Sequence, residues 1–168
     1  MPRQIFVNLP VKDVQRSIAF FTALGFSFEP RFTGEHSACI VIDDHAFVHL
    51  LAEDAFKTFT PKELCDATRC TEVLVALSCD SREQVDETVA KAAAAGGKIP
   101  REAQDHGFMY VHAFEDPDGH LWELGYMEPG AMGGGRGSSS RPASSPGGGS
   151  AAVRKPVRRR ALPAGKRG

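Results

Sequence analysis

The chain has 168 residues, 42% of them hydrophobic, and a net charge of −1. That length suits one domain with a real core rather than two, and no apolar run is long enough to span a bilayer as a helix. The small net charge hides a segregation. All 21 acidic residues lie in 1–128, whereas nine of the 20 basic residues lie in 129–168, which leaves −10 on the first part and +9 on the second.

Gln4 to Val11 reads as an opening strand. Asp13 is then placed to cap a helix that carries Val14, Ile18 and Phe21 on one face and stops at Gly25. Three strand-like segments follow, at Phe26–Phe32, Cys39–Ile42 and Phe47–Leu51, with turns at Gly34 and Asp43-Asp44. Glu53 to Arg69 is polar and interrupted by Pro61, as in a connector with a short helix. The pattern then restarts. Glu72–Ser78 is a strand, and Asp80 or Ser81 caps a second helix through Val85, Val89 and an alanine run closed by Gly96-Gly97. Strands are expected at Lys98–Arg101, Met109–Phe114 and Leu121–Tyr126. The order predicts an α+β fold of two tandem βαβββ modules.

The last hairpin is the most informative stretch. Asp116-Pro117-Asp118-Gly119 has a proline and a glycine where a tight turn wants them. The strand after it carries Glu123 between Trp122 and Leu124, and a carboxylate among apolar neighbours is costly to bury unpaired. Laid over Asp43–Leu50, this hairpin puts His49 and Glu123 at equivalent positions of the two modules. Glu123 can be a general base or a carboxylate paired with His49; it can also simply face solvent. His49 can be a base or a neutral structural histidine. Trp122 and Phe47 are expected to face the helices, and His120, His45 and His106 to lie in surface turns. Lys98, Arg101, Glu102 and Gln104 read as a polar connection at the rim.

Cys39, Cys65, Cys70 and Cys79 form no Cys-x-x-Cys pair. They are expected to be free thiols of a reducing, cytoplasmic compartment rather than a zinc site. The N-terminal residues lack the hydrophobic stretch of a signal peptide. Residues 129–168 are rich in Gly, Ser, Pro and basic residues and are predicted to be disordered. A tail of this kind keeps an acidic domain soluble; nucleic-acid contact is the less favoured reading, because no aromatic or fold motif accompanies the charge.

The doubled βαβββ order, the segment Leu9-Pro10-Val11-Lys12-Asp13, and Asp116-Pro117-Asp118-Gly119-His120-Leu121-Trp122-Glu123-Leu124 together resemble the vicinal oxygen chelate superfamily of glyoxalases, extradiol dioxygenases and bleomycin-resistance proteins. The resemblance spans about residues 4–127. It implies a cup-shaped curved mixed sheet with helices outside, closed within one chain or across a homodimer. It also implies that His49 and Glu123 hold last-strand positions used for metal ligands or catalysis, while Phe6 and Val73 hold the first-strand positions. Neither of the latter can bind a metal. Asn8 or Glu72 reach those places only by a shift in register, and His112 is a candidate third donor. Two functions follow. One is a lyase, isomerase or dioxygenase using Zn²⁺, Ni²⁺, Mn²⁺ or Fe²⁺ as a Lewis acid. The other is a metal-free module that sequesters a small molecule, with Phe6 and Val73 lining an apolar cup.

Overall fold

The computed structural model describes residues 2–130. The basic, Gly/Ser-rich tail lies outside the described residues from position 131 onward. The described elements are β1 (Ile5–Val11), α1 (Val14–Ala23), β2 (Ser27–Phe28), β3 (Ser37–Val41), β4 (Ala46–Ala52), α2 (Glu53–Lys57), β5 (Leu74–Ser78), α3 (Arg82–Ala94), β6 (Gln104–Asp105), β7 (Met109–Glu115) and β8 (Leu121–Met127). The strands form two four-stranded sheets of the same order, β1-β4-β3-β2 and β5-β8-β7-β6. In each, the module's first strand runs parallel to its last and the other pairings are antiparallel. This is the expected α+β fold with its doubled βαβββ unit.

Local chemistry accounts for the element ends. The Asp13 carboxylate accepts the Arg16 N–H at 3.0 Å and starts α1. The Ser81 hydroxyl accepts the Gln84 N–H at 3.1 Å and starts α3, so Ser81 rather than Asp80 is the cap. Three strands depart from expectation. The segment from Phe26 keeps only Ser27–Phe28 as strand, because Pro30 opens a 3-10 turn over Pro30–Phe32; proline has no N–H for a ladder. Lys98–Arg101 contains Pro100 and makes a single bridge, Lys98 opposite Glu115, with the short strand displaced to Gln104–Asp105. Strand β5 begins at Leu74 rather than Glu72.

Strand alternation divides each sheet into two faces. On one face lie Leu9, Val11, Val48 and Leu50 of the first sheet, and Val75, Phe114, Trp122 and Leu124 of the second, all buried. Helices α1 and α3 pack on these faces, and the two modules share one core. The Phe21 ring lies 4.8 Å from Trp122, and Phe20 lies 6.0 Å from Phe114. Burying one such side chain contributes about 1.5–3 kcal/mol, so the modules hold together through these aromatic contacts.

The Asp116–His120 turn clasps the modules from one side. One Asp116 oxygen accepts the N–H groups of Asp118 and His120, each at 3.0 Å, and the other accepts the Trp122 indole N–H at 3.2 Å. Burial pushes the Asp116 carboxyl above its ordinary pKa, opposed by His120, the indole N–H and the two backbone donors. Asp118 accepts from the Lys12 backbone N–H at 3.0 Å and the Arg16 guanidinium at 2.9 Å. The His120 Nε2 lies 2.6 Å from the Pro10 carbonyl oxygen. His120 is therefore buried rather than at the surface, because its ring reaches across to β1. Much of the most distinctive sequence motif is structural.

Candidate functional site

The faces turned away from the shared core carry the candidate residues. On the first sheet, Asn8 of β1 pairs with His49 of β4, and Phe6 pairs with Phe47, so all four share that outer face. The rings of Phe6 and Phe47 stack at 4.8 Å and 12°. Phe47 thus lies beside His49 and not toward the helices: it precedes His49 by two residues, and alternation puts residues two apart on one side. Trp122, adjacent to Glu123, does face the core.

His49 is covered by the 3-10 turn, with the Phe32 ring 6.5 Å from its own. Burial lowers its pKa, and the nearby Phe32 backbone opposes that shift. Its Nε2 is buried with no hydrogen-bond partner among the described residues. A histidine whose folded pKa is lowered costs stability only when acid protonates it. Its contribution is intact above the ordinary value of 6.5 and declines as pH falls below it. Melting curves at pH 7.5 and 5.5 are expected to show a larger drop for the native chain than for His49→Gln. Equal drops would mean that His49 is not desolvated.

On the second sheet, Glu123 of β8 lies opposite Ala76 of β5 and Ala113 of β7. Its carboxylate forms an ion pair with Arg101, at side-chain exposures of 28% and 39%. Arg101, expected in a polar connection at the rim, is instead held over β8: the bridge of Lys98 to Glu115 anchors its segment. The only sequence signal for this contact was a cation in a loop leading into the same hairpin.

The structure does not pair His49 with Glu123: His49 lies beside the Phe32 turn, and Glu123 pairs with Arg101. His112 is Leu124's partner, so it lies on the helix-bearing face, opposite to Glu123. Its Nδ1 is 3.8 Å from Asp86 of α3, and neither ring nitrogen has a hydrogen-bond partner among the described residues. It does not join Glu123 as a third donor. Val73 precedes β5 and is 38% exposed; Asn8 is exposed and lines, with Val73, a cavity of about 480 Å³ under the connector.

The residues present do not fit a divalent metal within one chain. Open catalytic sites keep about three protein ligands, and among the described residues no three His, Cys, Asp or Glu side chains cluster for one. Glu123 is already neutralised by Arg101. Phe6 offers no donor.

The description of the glyoxalase/bleomycin resistance protein/dioxygenase superfamily matches residues 3–124. Among solved structures, the chain is similar to a hypothetical protein of S. aureus, with 28% identity, a TM-score of 0.64, and coverage of 75% of this chain and 95% of that one. It is also similar to a glyoxalase/bleomycin resistance protein/dioxygenase family enzyme of Burkholderia phytofirmans PsJN, at 17% identity and TM-score 0.62, over 76% of this chain and 100% of that one. A fosfomycin resistance protein of Listeria monocytogenes shares the fold at 20% identity and TM-score 0.55, over 76% of this chain and 93% of that one. No curated protein matches the sequence significantly. No helix among the described residues is long and apolar enough to cross a membrane. With two βαβββ modules in one core and a family match over most of its length, the chain belongs to the glyoxalase/bleomycin resistance protein/dioxygenase superfamily.

Proposed function

We propose that this protein binds and sequesters a small, largely apolar molecule bearing an aromatic ring, without a catalytic metal. The observation that carries the reading is the stacked Phe6–Phe47 pair beside His49 on an outer face. Phe6 is 41% exposed, so its ring is available to a ligand. Aromatic rings contribute about 0.5–1.5 kcal/mol per stacking partner beyond the area they bury. His49, kept neutral by its lowered pKa, and the Arg101–Glu123 pair supply a few polar contacts to orient the ligand.

The cup is completed by a second copy. Phe6, Leu74 and Met127 expose 41%, 42% and 44% of their surface on the outer faces of β1, β5 and β8. Strands β1 and β5 are edges of their sheets. An apolar outer face with a free edge favours pairing, and a homodimer that sets the first sheet of one copy against the second sheet of its partner would bring His49 and Glu123 into one cup. The four free cysteines suit a cytoplasmic protein.

A divalent-metal lyase, isomerase or dioxygenase is the second reading, favoured by the His49 Nε2, which has no hydrogen-bond partner among the described residues. Melting curves with Zn²⁺, Ni²⁺, Mn²⁺ or Fe²⁺ separate the two, because a metal that binds only the folded state raises Tm. No rise is expected. The fluorescent probe anilinonaphthalene sulfonate is expected to bind the native chain, and Phe6→Ser with Phe47→Ser to weaken it by about tenfold, the equivalent of 1.4 kcal/mol. A clear metal-dependent rise, or probe binding indifferent to both phenylalanines, would overturn the proposal.

A further inference from the structure

We propose that Cys65 and Cys70 are a reactive thiol pair that closes to an intrachain disulfide by exchange with a low-molecular-weight disulfide such as glutathione disulfide. The connector between α2 and β5 folds back on itself at this point. The N–H groups of Arg69 and Cys70 donate to the Asp66 carbonyl at 2.9 and 3.1 Å, and the Asp66 carboxylate accepts the Thr68 N–H at 3.0 Å and its hydroxyl at 2.7 Å. This turn carries the Cys70 Sγ to 2.7 Å from the Cys65 Sγ. A disulfide needs its sulfurs about 2.05 Å apart with the Cβ atoms about 3.8 Å apart. The two sulfurs are therefore only about 0.65 Å farther apart than a bonded pair.

The other two cysteines lack this arrangement. Cys39 is fully buried and Cys79 is half-buried, and burial raises the pKa of both thiols. Cys65 and Cys70 are exposed, so a soluble disulfide can reach them. The pKa of Cys65 is raised first by its hydrogen bond with Cys70, then by desolvation, by the Cys70 charge and by the carboxylates of Glu72 and Asp66. The thiolate is the attacking species, so Cys65 rests as a thiol near neutral pH and exchange speeds up as pH rises.

The bond would have a structural effect. Both cysteines line the 480 Å³ cavity that also meets Asn8, Phe56, Val73 and His120. Closing a six-residue ring from Cys65 to Cys70 would stiffen that wall. Two of the four residues inside the ring, Ala67 and Thr68, rest against Gly119 of the clasping turn.

The chemistry balances. One protein thiolate attacks glutathione disulfide, forms a mixed disulfide and releases one glutathione. The second protein thiolate then attacks the protein sulfur of that bond and expels the second glutathione. Two protein thiols lose two protons and two electrons, and one glutathione disulfide becomes two glutathiones.

The test is a thiol count on the full chain by intact mass. The reduced protein is incubated with glutathione disulfide at pH 8, denatured and alkylated. The native chain is expected to fall from four alkylatable cysteines to two, to retain no glutathione, and to regain all four with dithiothreitol. Cys65→Ser and Cys70→Ser are each expected to retain one glutathione on the remaining thiol of the pair. Going from pH 7 to pH 8 should speed the reaction several-fold. Four alkylatable cysteines after treatment, two retained glutathiones, or a disulfide that still forms in Cys65→Ser would each overturn the proposal.

Discussion

Trp122→Ala is expected to cost about 3–5 kcal/mol, the range for deleting a buried aromatic. The indole is fully buried, and Phe21, Phe26 and Phe114 surround it at ring distances of 4.8, 6.3 and 6.1 Å. Two of those rings belong to the other module, so the cavity opens at the joint, where neither sheet can collapse into it independently. The substitution also removes the indole N–H from a buried Asp116 oxygen, and an unsatisfied buried acceptor carries its own penalty of about 1–3 kcal/mol. Domain stability is about 5–15 kcal/mol in total, so Tm should fall by roughly 10–20 °C. Trp122→Phe keeps most of the packing and loses the donor. It should fall between the native chain and Trp122→Ala. Thermal melting by circular dichroism checks both, and a Trp122→Ala chain that melts within about 3 °C of the native one would refute the shared core.

Gly119→Ala should be nearly as damaging, for a different reason. Gly119 closes the clasping turn, donating its N–H to the Asp116 carbonyl at 2.9 Å, with φ at +92°. That conformation costs a non-glycine residue about 1–2 kcal/mol. A Cβ there would also sit 2.8 Å from the Thr68 nitrogen, and 2.9 Å from both the Ala67 carbonyl carbon and the Thr68 Cα. These are backbone atoms and cannot rotate away, so the connector must move bodily. Overpacking of this kind costs about 1–3 kcal/mol more, for a total of roughly 2–5 kcal/mol. Gly34→Ala is the control: nothing lies within 4 Å of its Cβ and its φ is not left-handed, so its melting curve should be close to native. If Gly119→Ala melted like that control, the connector could not be packed on the turn as described.

Both substitutions bear on the candidate site indirectly. The turn leads straight into β8, so displacing it shifts the strand that carries Glu123. The clasp also ties the Pro10 carbonyl and the Lys12 N–H of the first module to this turn. The residues that name the family therefore position the strands that carry the candidate residues.

Much of the fold was legible in the chain. Period-two and helical spacing, Asp13, Ser81, Gly25 and the Asp-Pro-Asp-Gly turn marked both modules in order. The errors have identifiable causes. Pro30 and Pro100 removed ladder donors from segments read as strands. The expectation that Phe47 faces the helices fails because its spacing of two from His49 puts both side chains on one face. His112 could be assigned to a face only once its pairing with Leu124 was known, because sequence leaves the register of β7 against β8 open. The site was less legible. Donor residue types were visible, but not the Arg101 that occupies Glu123, the Phe32 turn that covers His49, or the fold-back that joins Cys65 to Cys70.

The sequence by itself determined the two βαβββ units, their helix caps and the final hairpin, because each is set by side-chain spacing and turn chemistry within a few residues. The tertiary structure alone decided what the polar groups do. Arg101 meets Glu123 across 22 positions, Arg16 meets Asp118 across 102, and His120 meets the Pro10 carbonyl across 110. Pairings at such separations depend on how two sheets twist and pack around one aromatic core, which no local window of the chain contains. That packing tied Glu123 to a cation and turned the histidine of the Asp-Pro-Asp-Gly-His motif inward. It left the stacked Phe6–Phe47 pair on the outer face, with Phe6 41% exposed.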